Sequence, residues 1–548
     1  MNQCTQCTSL FEITDEDRQF YNKVDVPNPT LCAPCRQQRR AYYRNELNLY
    51  HRNCDATGDD VVTMYRPETK VIIYKPDYWW SDKWSPLDYG KQFDFSRPFF
   101  EQFHDLQLKV PRLSLYGKSN ENSDYTNHTD HARNAYMSAD VGFSEDIFYS
   151  KWIINSRNLI NSYQMERAEQ CYMSFYTPDA HFCHFAYLSD ASYHSDFLYN
   201  CKNVKNSLMC WNLRQKEYCI ENKPYSKSEY EKILSTYDTG SYQNVQKYKN
   251  RYETLIKQAV RRPLEQINCE DCLGDYIYNS KNLHHCYGVI ESRDCAHCYD
   301  SGHMNDCYDT YESAFDCELQ YESHACNRGK CLIGVSVSYD VSNLYYSEMC
   351  HNSEHLFGCI GLRHKKYCIF NKQYSKEEYD ALVPKIIAHM KKTGEWGEFF
   401  PKELSFFAYN ESAAMEFSPL TKEQSIQSGF MWHEDQKDYK LQTYVVPDHI
   451  KDVPDNIINE VLACKSCKKN YRVITPELKF YQNHNFPIPH LCPSCRYFEA
   501  LKWRNPYFIY DRKCDKCSSH IQTTYIPERE EKIYCEDCYL KEIYSSKL

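Results

Sequence analysis

The chain of 548 residues opens and closes on the same arrangement of thiols. Cys4, Cys7, Cys32 and Cys35 recur, at a constant shift of 460 positions and without a gap, as Cys464, Cys467, Cys492 and Cys495. The match extends past the cysteines: Phe20-Tyr21 answers to Phe480-Tyr481, Pro29 to Pro489, Arg44-Asn45 to Arg504-Asn505, and Cys54 to Cys514. Two C-x2-C pairs a short distance apart can close a tetrahedral thiolate cage around zinc. Related metal modules therefore bracket whatever lies between them.

The terminal module has a second half. Cys514, Cys517, Cys535 and Cys538 form a third quartet, whose counterparts at the amino end are Cys54, Thr57, Lys75 and Tyr78. Scaffold positions persist there, with Thr63, Tyr65 and Pro67 matching Thr523, Tyr525 and Pro527. One thiolate cannot hold zinc, so Cys54 is expected to be a buried thiol, with Tyr78, Trp79, Trp80 and Trp84 replacing metal by packing. Three structural Zn2+ sites are predicted, none with an open coordination position.

The thiols are expected to stay reduced. No export signal precedes Cys4 and no apolar run is long enough to span a bilayer, so the chain reads as cytoplasmic, with metal ligands rather than disulfides. The net charge of −10 sits mostly between the modules. Each zinc held by four thiolates adds a further −2 at the ends, which basic residues there offset.

The centre repeats itself at a shift near 149. Cys201, Cys210 and Cys219 recur as Cys350, Cys359 and Cys368, and each copy ends in a helix opened by a capping pair, Ser226 with Glu229 and Ser375 with Glu378. Cysteines also fall nine apart, at 201, 210, 219, at 298 and 307, at 317 and 326, and at 350, 359, 368. Nine extended residues would span about 30 Å, so each unit must contain a turn. Short strands with Cys and aromatic residues inward, joined by Asn, Ser or Asp turns, fit this rhythm. Two nine-residue units per coil would make a two-faced parallel solenoid; an antiparallel meander has the same local signature.

The fold class expected is thus multidomain and mainly β: terminal zinc modules flanking two duplicated Cys/Tyr-rich, solenoid-like repeat domains with helical appendages. The expected divisions are a zinc module at 1–50, its degenerate, metal-free relative at 51–85, and a helical linker at 86–112. A first repeat domain at 113–222 and helices at 223–265 follow. A second repeat domain at 266–372, a helix and linker at 373–460, and zinc modules at 461–510 and 511–548 complete the chain.

Cys4 through Cys7, with Phe11, Asp17, Phe20-Tyr21, Pro29 and Cys32-Ala-Pro-Cys35-Arg36, resembles a family described as a probable zinc-ribbon, or treble-clef-like, domain; Cys464 through Arg496 resembles a second member. The resemblance implies a small metal-stabilised fold and carries no activity with it. The chain as a whole is similar to long proteins of uncultured bacteria.

Other constellations are weaker. Cys269, Cys272, Cys295 and Cys298 have metal spacing, but the first central copy has Asn120, Ser123, Asp146 and Tyr149 there, which favours buried thiols. His351-Asn-Ser-Glu354-His355 matches the H-x-x-E-H pattern of some zinc peptidases; lying in the strand rhythm, it reads instead as surface or turn residues. His181, His184, His284 and His285 read as solvated or core imidazoles. No phosphate-cradling glycine motif occurs, and only 15 glycines are present. Arg36, Arg39, Arg40 and Arg44, interleaved with Tyr42 and Tyr43, form the candidate nucleic-acid contact, since arginine can meet phosphate while tyrosine stacks on bases; the competing reading is a helix after the zinc knuckle, solvated on one side and packed through Tyr42 on the other.

The functional expectation is a zinc-binding, non-enzymatic scaffold or binding protein whose ends dock a protein or RNA partner, with no membrane and no small-molecule substrate implied. The alternatives are a carbohydrate-active enzyme using acidic residues in a solenoid groove, and a thiol-based metal store.

Overall fold

A computed structural model describes residues 1–313, 315–434, 439–440, 442 and 444–544. Its centre consists of two parallel β-solenoids, covering roughly residues 117–220 and 266–369. Their backbone follows a three-residue rule. Two extended residues alternate with one in the left-handed region, as at Asn155 (φ 48°), Asn158 (φ 56°) and Asn161 (φ 51°). Each left-handed residue turns a corner. Four corners close a coil, so strands pair with the chain twelve residues on: Ala139 with Lys151, and Lys151 with Tyr163. Non-glycine residues enter this region at a cost of about 1–2 kcal/mol, and Asn and Asp enter it most readily. Bonds between coils offset that cost.

The coil is therefore four-sided with twelve residues, not two-faced with nine-residue units. Nine residues correspond to three of the four corners. Every third residue points inward, where three-residue sides leave little width. Ser138, Val141, Ser144, Ile147, Ser150 and Ile153 are all buried in this sequence. The inward serines bond the next coil: Ser138 Oγ accepts from the Ser150 N–H at 3.1 Å, and Ser150 Oγ from the Ser162 N–H at 3.0 Å. An inward thiol fits the same space. Cys171 Sγ lies 3.3 Å from the Glu169 carbonyl and 3.5 Å from that of Ala180, nine residues on. The coil bonds are parallel, so the meander is not the arrangement. Antiparallel pairing appears where each stack ends, at Ile220 with Lys223 and at Ile369 with Lys372.

The second stack contains two slips. Glu270 pairs with Lys281, one residue short of the usual coil, and Met304 pairs with Cys317, one residue over. At the first slip Gly274 (φ 146°) runs against the Cys286 backbone, and a Cβ there would lie 1.8 Å from the Cys286 oxygen. Only glycine fits that approach.

Outward residues form ladders one coil apart. Arg133 pairs with Glu145 and Arg157 with Glu169. Corner amides continue the pattern, with Asn122 Nδ2 donating to Asn134 and Asn134 Nδ2 to Asp146, each at 2.9 Å.

The two stacks lie side by side in opposite directions. Trp152 Nε1 approaches Glu312 at 3.4 Å, Gln164 approaches Asp300 at 3.5 Å, and Tyr176 stacks on Tyr276 at 4.6 Å between ring centroids. The flanking segments are crossed. The amino-terminal module packs on the second solenoid, through Tyr21 against Tyr321 at 5.5 Å. The carboxy-terminal module packs on the first, through Tyr481 against Tyr172 at 5.8 Å. Helix Phe99–Gln107 likewise covers the second stack, through Phe99 on Phe357, and helix Tyr242–Ile256 the first, through Tyr252 on Phe197. Pairing of Ile73 with Arg112 is repeated as Ile533 with Arg261, positions that the shifts of 460 and 149 relate. The molecule is a pseudo-twofold of two interlocked halves. Among the described residues no helix is long and apolar enough to cross a membrane.

Candidate metal centres

Each C-x2-C pair near a module's start sits on a tight knuckle between two short strands. The N–H of Cys4 bonds Ser9 O at 2.9 Å, that of Cys464 bonds Lys469 O at 2.9 Å, and that of Cys514 bonds Ser519 O at 2.8 Å. The left-handed turn residues Thr8, Lys468 and Ser518 have φ near 64° in all three knuckles (63°, 65° and 63°). The second pair of each terminal module opens a helix, with Cys32 and Cys492 as N-caps followed by Ala33–Tyr42 and Pro493–Leu501. Cys538 lies in helix Glu536–Tyr544, immediately after Cys535. Helix starts present free N–H groups and positive potential, which favour thiolate.

The structure brings all twelve predicted ligands together as three sets: Cys4, Cys7, Cys32 and Cys35; Cys464, Cys467, Cys492 and Cys495; and Cys514, Cys517, Cys535 and Cys538. Within each, the sulfurs lie within 4.8 Å of one another. Cys7 to Cys32, Cys467 to Cys492 and Cys517 to Cys535 are each 3.7 Å apart. Sulfurs held about 2.3 Å from a tetrahedral ion lie roughly 3.8 Å from one another, so this spacing suits a four-thiolate cage. Burial alone would raise the Cys464 thiol, but N–H groups of Cys492, Cys467 and Ser466 bring it down to about 6. Hydrogen bonds from Ser519, side chain and backbone, bring Cys517 to about 6 as well. These groups could each hold a metal ion.

The fourth knuckle keeps its geometry without its ligands. The Cys54 N–H bonds Asp59 O at 2.8 Å around Gly58 (φ 77°), and Lys75 N–H points at Cys54 Sγ at 3.4 Å, as Cys535 N–H points at Cys514 Sγ at 3.2 Å. Cys54 is buried. Where the third quartet has Cys538, Tyr78 packs edge-on to Tyr74 at 5.1 Å, and Trp79 is fully buried, its Nε1 donating to Pro111 O at 3.1 Å.

The nucleic-acid expectation for Arg36, Arg39, Arg40 and Arg44 is corrected. All four are buried in ion pairs with the second solenoid and its neighbours. Arg36 meets Asp309 at 2.9 Å, Arg39 meets Glu322 at 2.7 Å and Glu398 at 2.9 Å, and Arg40 meets Glu322 at 2.5 Å. Arg44 joins Glu46, Glu312 and, at 2.6 Å, Asp140. The acidity of the centre is what recruits this helix, and its arginines face those carboxylates rather than solvent.

Cys269, Cys272, Cys295 and Cys298 do not gather into one ligand set among the described residues. They are inward solenoid residues that donate to carbonyls, Cys269 to Ile277 at 3.3 Å and Cys295 to Arg293 at 3.0 Å. His351, Glu354 and His355 lie on one strand, His351–Phe357, and go separate ways. His351 is buried with its ring 4.9 Å from that of Trp80, Glu354 pairs with Lys366, and His355 stacks on Tyr367. His351 is thus a core imidazole, not a surface or turn residue. His181 stacks on Tyr193, and His184 Nδ1 meets Asp196 at 2.6 Å.

One cluster has no sequence signature. Glu46, Asp140 and Glu312 place carboxylate oxygens within 4.8 Å of one another, from three remote parts of the chain. Two cations already occupy it: Arg44, and Lys151, which also lies 3.3 Å from Glu416. Burial, then the charge of Glu46, pushes the Asp140 carboxyl up to about 8. The cluster is an ion-pair hub joining the amino-terminal module to both solenoids.

No family model, curated protein or solved structure matches this chain.

Proposed function

We propose that the chain is a zinc-binding, non-enzymatic scaffold or binding protein. Three structural zinc ions, each in a four-thiolate site of zinc-ribbon type, would stiffen the terminal modules. Those modules in turn clamp the paired solenoids into one body. The observation that carries this reading is the convergence of twelve thiols into three sets, each with its sulfurs within 4.8 Å of one another and one pair at 3.7 Å, with N–H groups aimed at sulfur. Closed four-thiolate sites stabilise folds rather than catalyse.

A protein or RNA partner would be met on surfaces that the clamps leave free, chiefly the charge-laddered outer faces carrying Arg133, Glu145, Arg157 and Glu169. Repeat stacks of this kind offer long, regular surfaces to partners. The test uses the full chain, purified reduced and untagged, as bait for cell extract, beside an Arg133→Glu/Arg157→Glu variant. The reading expects the wild type to retain a partner that the variant releases. RNA would bring 260 nm absorbance that salt strips away. Equal retention by both proteins would contradict the ladder as the contact.

A further inference from the structure

The pseudo-twofold makes one difference between the halves conspicuous. In the half built on the second solenoid, the space between helix Phe99–Gln107, the stack and the amino-terminal module is filled by Phe399 and Phe400. Phe400 stacks on Phe103 at 5.0 Å and lies 6.1 Å from Phe100, while Phe399 meets Tyr43 at 5.4 Å. Among the described residues the other half has no such plug. Between helix Tyr242–Ile256, the first solenoid and the carboxy-terminal module lies a cavity of about 230 Å³. Its walls include Tyr172, Phe175, Phe185, Phe197, Tyr252 and Trp503. A cavity of roughly 150 Å³ accepts one benzene ring, so this one has room for two fused rings.

Several of the polar groups that line it have atoms without partners. Lys249 stands where the other half has Phe100, with Nζ 4.9 Å from the centroid of Phe185. Among the described residues it makes no ion pair; Glu253 and Glu499 also line the cavity and act on it through their charge, without an ion-pair contact. Burial lowers its ammonium to about 8, so it remains a cation at pH 7. The buried hydroxyl of Tyr252, Nε of Arg496 and both ring nitrogens of His490 have no hydrogen-bond partner. Buried polar groups left unpaired are costly and mark places where a ligand completes the set.

We propose that this cavity binds a small planar aromatic anion, its rings taking the place that Phe399 and Phe400 fill in the other half and its acidic group meeting Lys249. Aromatic walls favour a flat apolar body, and an unpaired cation within them favours a single negative charge. The proposal stands apart from the zinc reading.

The experiment titrates the full-length chain with 2-naphthoate and, separately, with its neutral analogue 2-naphthalenemethanol, by calorimetry. Wild type should bind one naphthoate per chain, at least tenfold tighter than the alcohol. Lys249→Met should lose that preference, and Lys249→Arg should keep it. Circular dichroism and metal content confirm that both variants are folded. If naphthoate does not saturate, or binds no tighter than the alcohol, or binds Lys249→Met as it does wild type, the proposal is wrong.

Discussion

Arg112, at the entrance to the first solenoid, donates through Nη2 to Glu348 of the second at 2.8 Å. Its Nε also reaches the Tyr65 hydroxyl of the amino-terminal module at 3.0 Å. Arg261 repeats the arrangement at the entrance to the second solenoid, donating to Tyr199 of the first at 2.8 Å and lying over the ring of Tyr525. Each arginine thus ties the start of one stack to the side of the other and to a terminal module. Both are buried.

Removing one partner of such a pair leaves a buried charge uncompensated. Glu348→Ala is expected to cost about 3–5 kcal/mol. Tyr199→Phe removes a neutral acceptor from Arg261 and should cost about 1–2 kcal/mol. Denaturant midpoints for the two variants check the order. Arg18→Ala, whose partner Asp15 is exposed, is the control and should change little.

The corner rule predicts opposite outcomes for two substitutions at one position. Asn158 holds φ at 56° at one of the coil's corners. Asn158→Gly should be close to neutral, while Asn158→Val should destabilise by about 1–2 kcal/mol or more, because a branched side chain resists the left-handed region. Thermal melts distinguish them.

The inward serines should matter individually. Ser150→Ala deprives the buried Ser162 N–H of its acceptor, at a cost of about 1–3 kcal/mol. Hydrogen exchange at Ser162 should quicken by more than exchange a coil further away.

Acid should weaken the fold partly through two buried imidazoles. Burial holds His324 and His351 down to about 3, against an ordinary value near 6.5. The folded state therefore excludes the proton that the unfolded chain accepts. Stability from this source is complete above 6.5 and is lost as pH falls from 6.5 towards 3. At pH 4.5 the loss is about 2–3 kcal/mol for each imidazole. His351→Phe, keeping a ring beside Trp80, should flatten part of the acid limb. Thiolate protonation affects wild type and variant alike, so their difference isolates the imidazole.

Much of this architecture is legible in the sequence. The 460-residue shift located the quartets, and the 149-residue shift located the two stacks, because duplicated folds keep spacing where buried geometry demands it. The coil length was not legible from cysteine alone. Cys201, Cys210 and Cys219 take inward places on three of the coil's four sides, spread over one and a half turns, and serine, alanine or valine fill the remaining inward places equally well. Asn155, Asn158 and Asn161 carried the three-residue period openly, through their tolerance of positive φ. The fate of Arg36, Arg39, Arg40 and Arg44 depended on which solenoid the module would meet, and no local spacing encodes Asp309 or Glu322 as their partners. The pairing of Lys249 with a vacated aromatic space likewise appears only when the two halves are superposed.

The most direct test of the account is metal content. The reduced, untagged chain should carry about three zinc ions after exhaustive dialysis, and Cys492→Ser should carry about two, with its carboxy-terminal module loosened from the first solenoid. Full-length protein that binds no metal yet keeps both terminal modules folded would contradict the central claim.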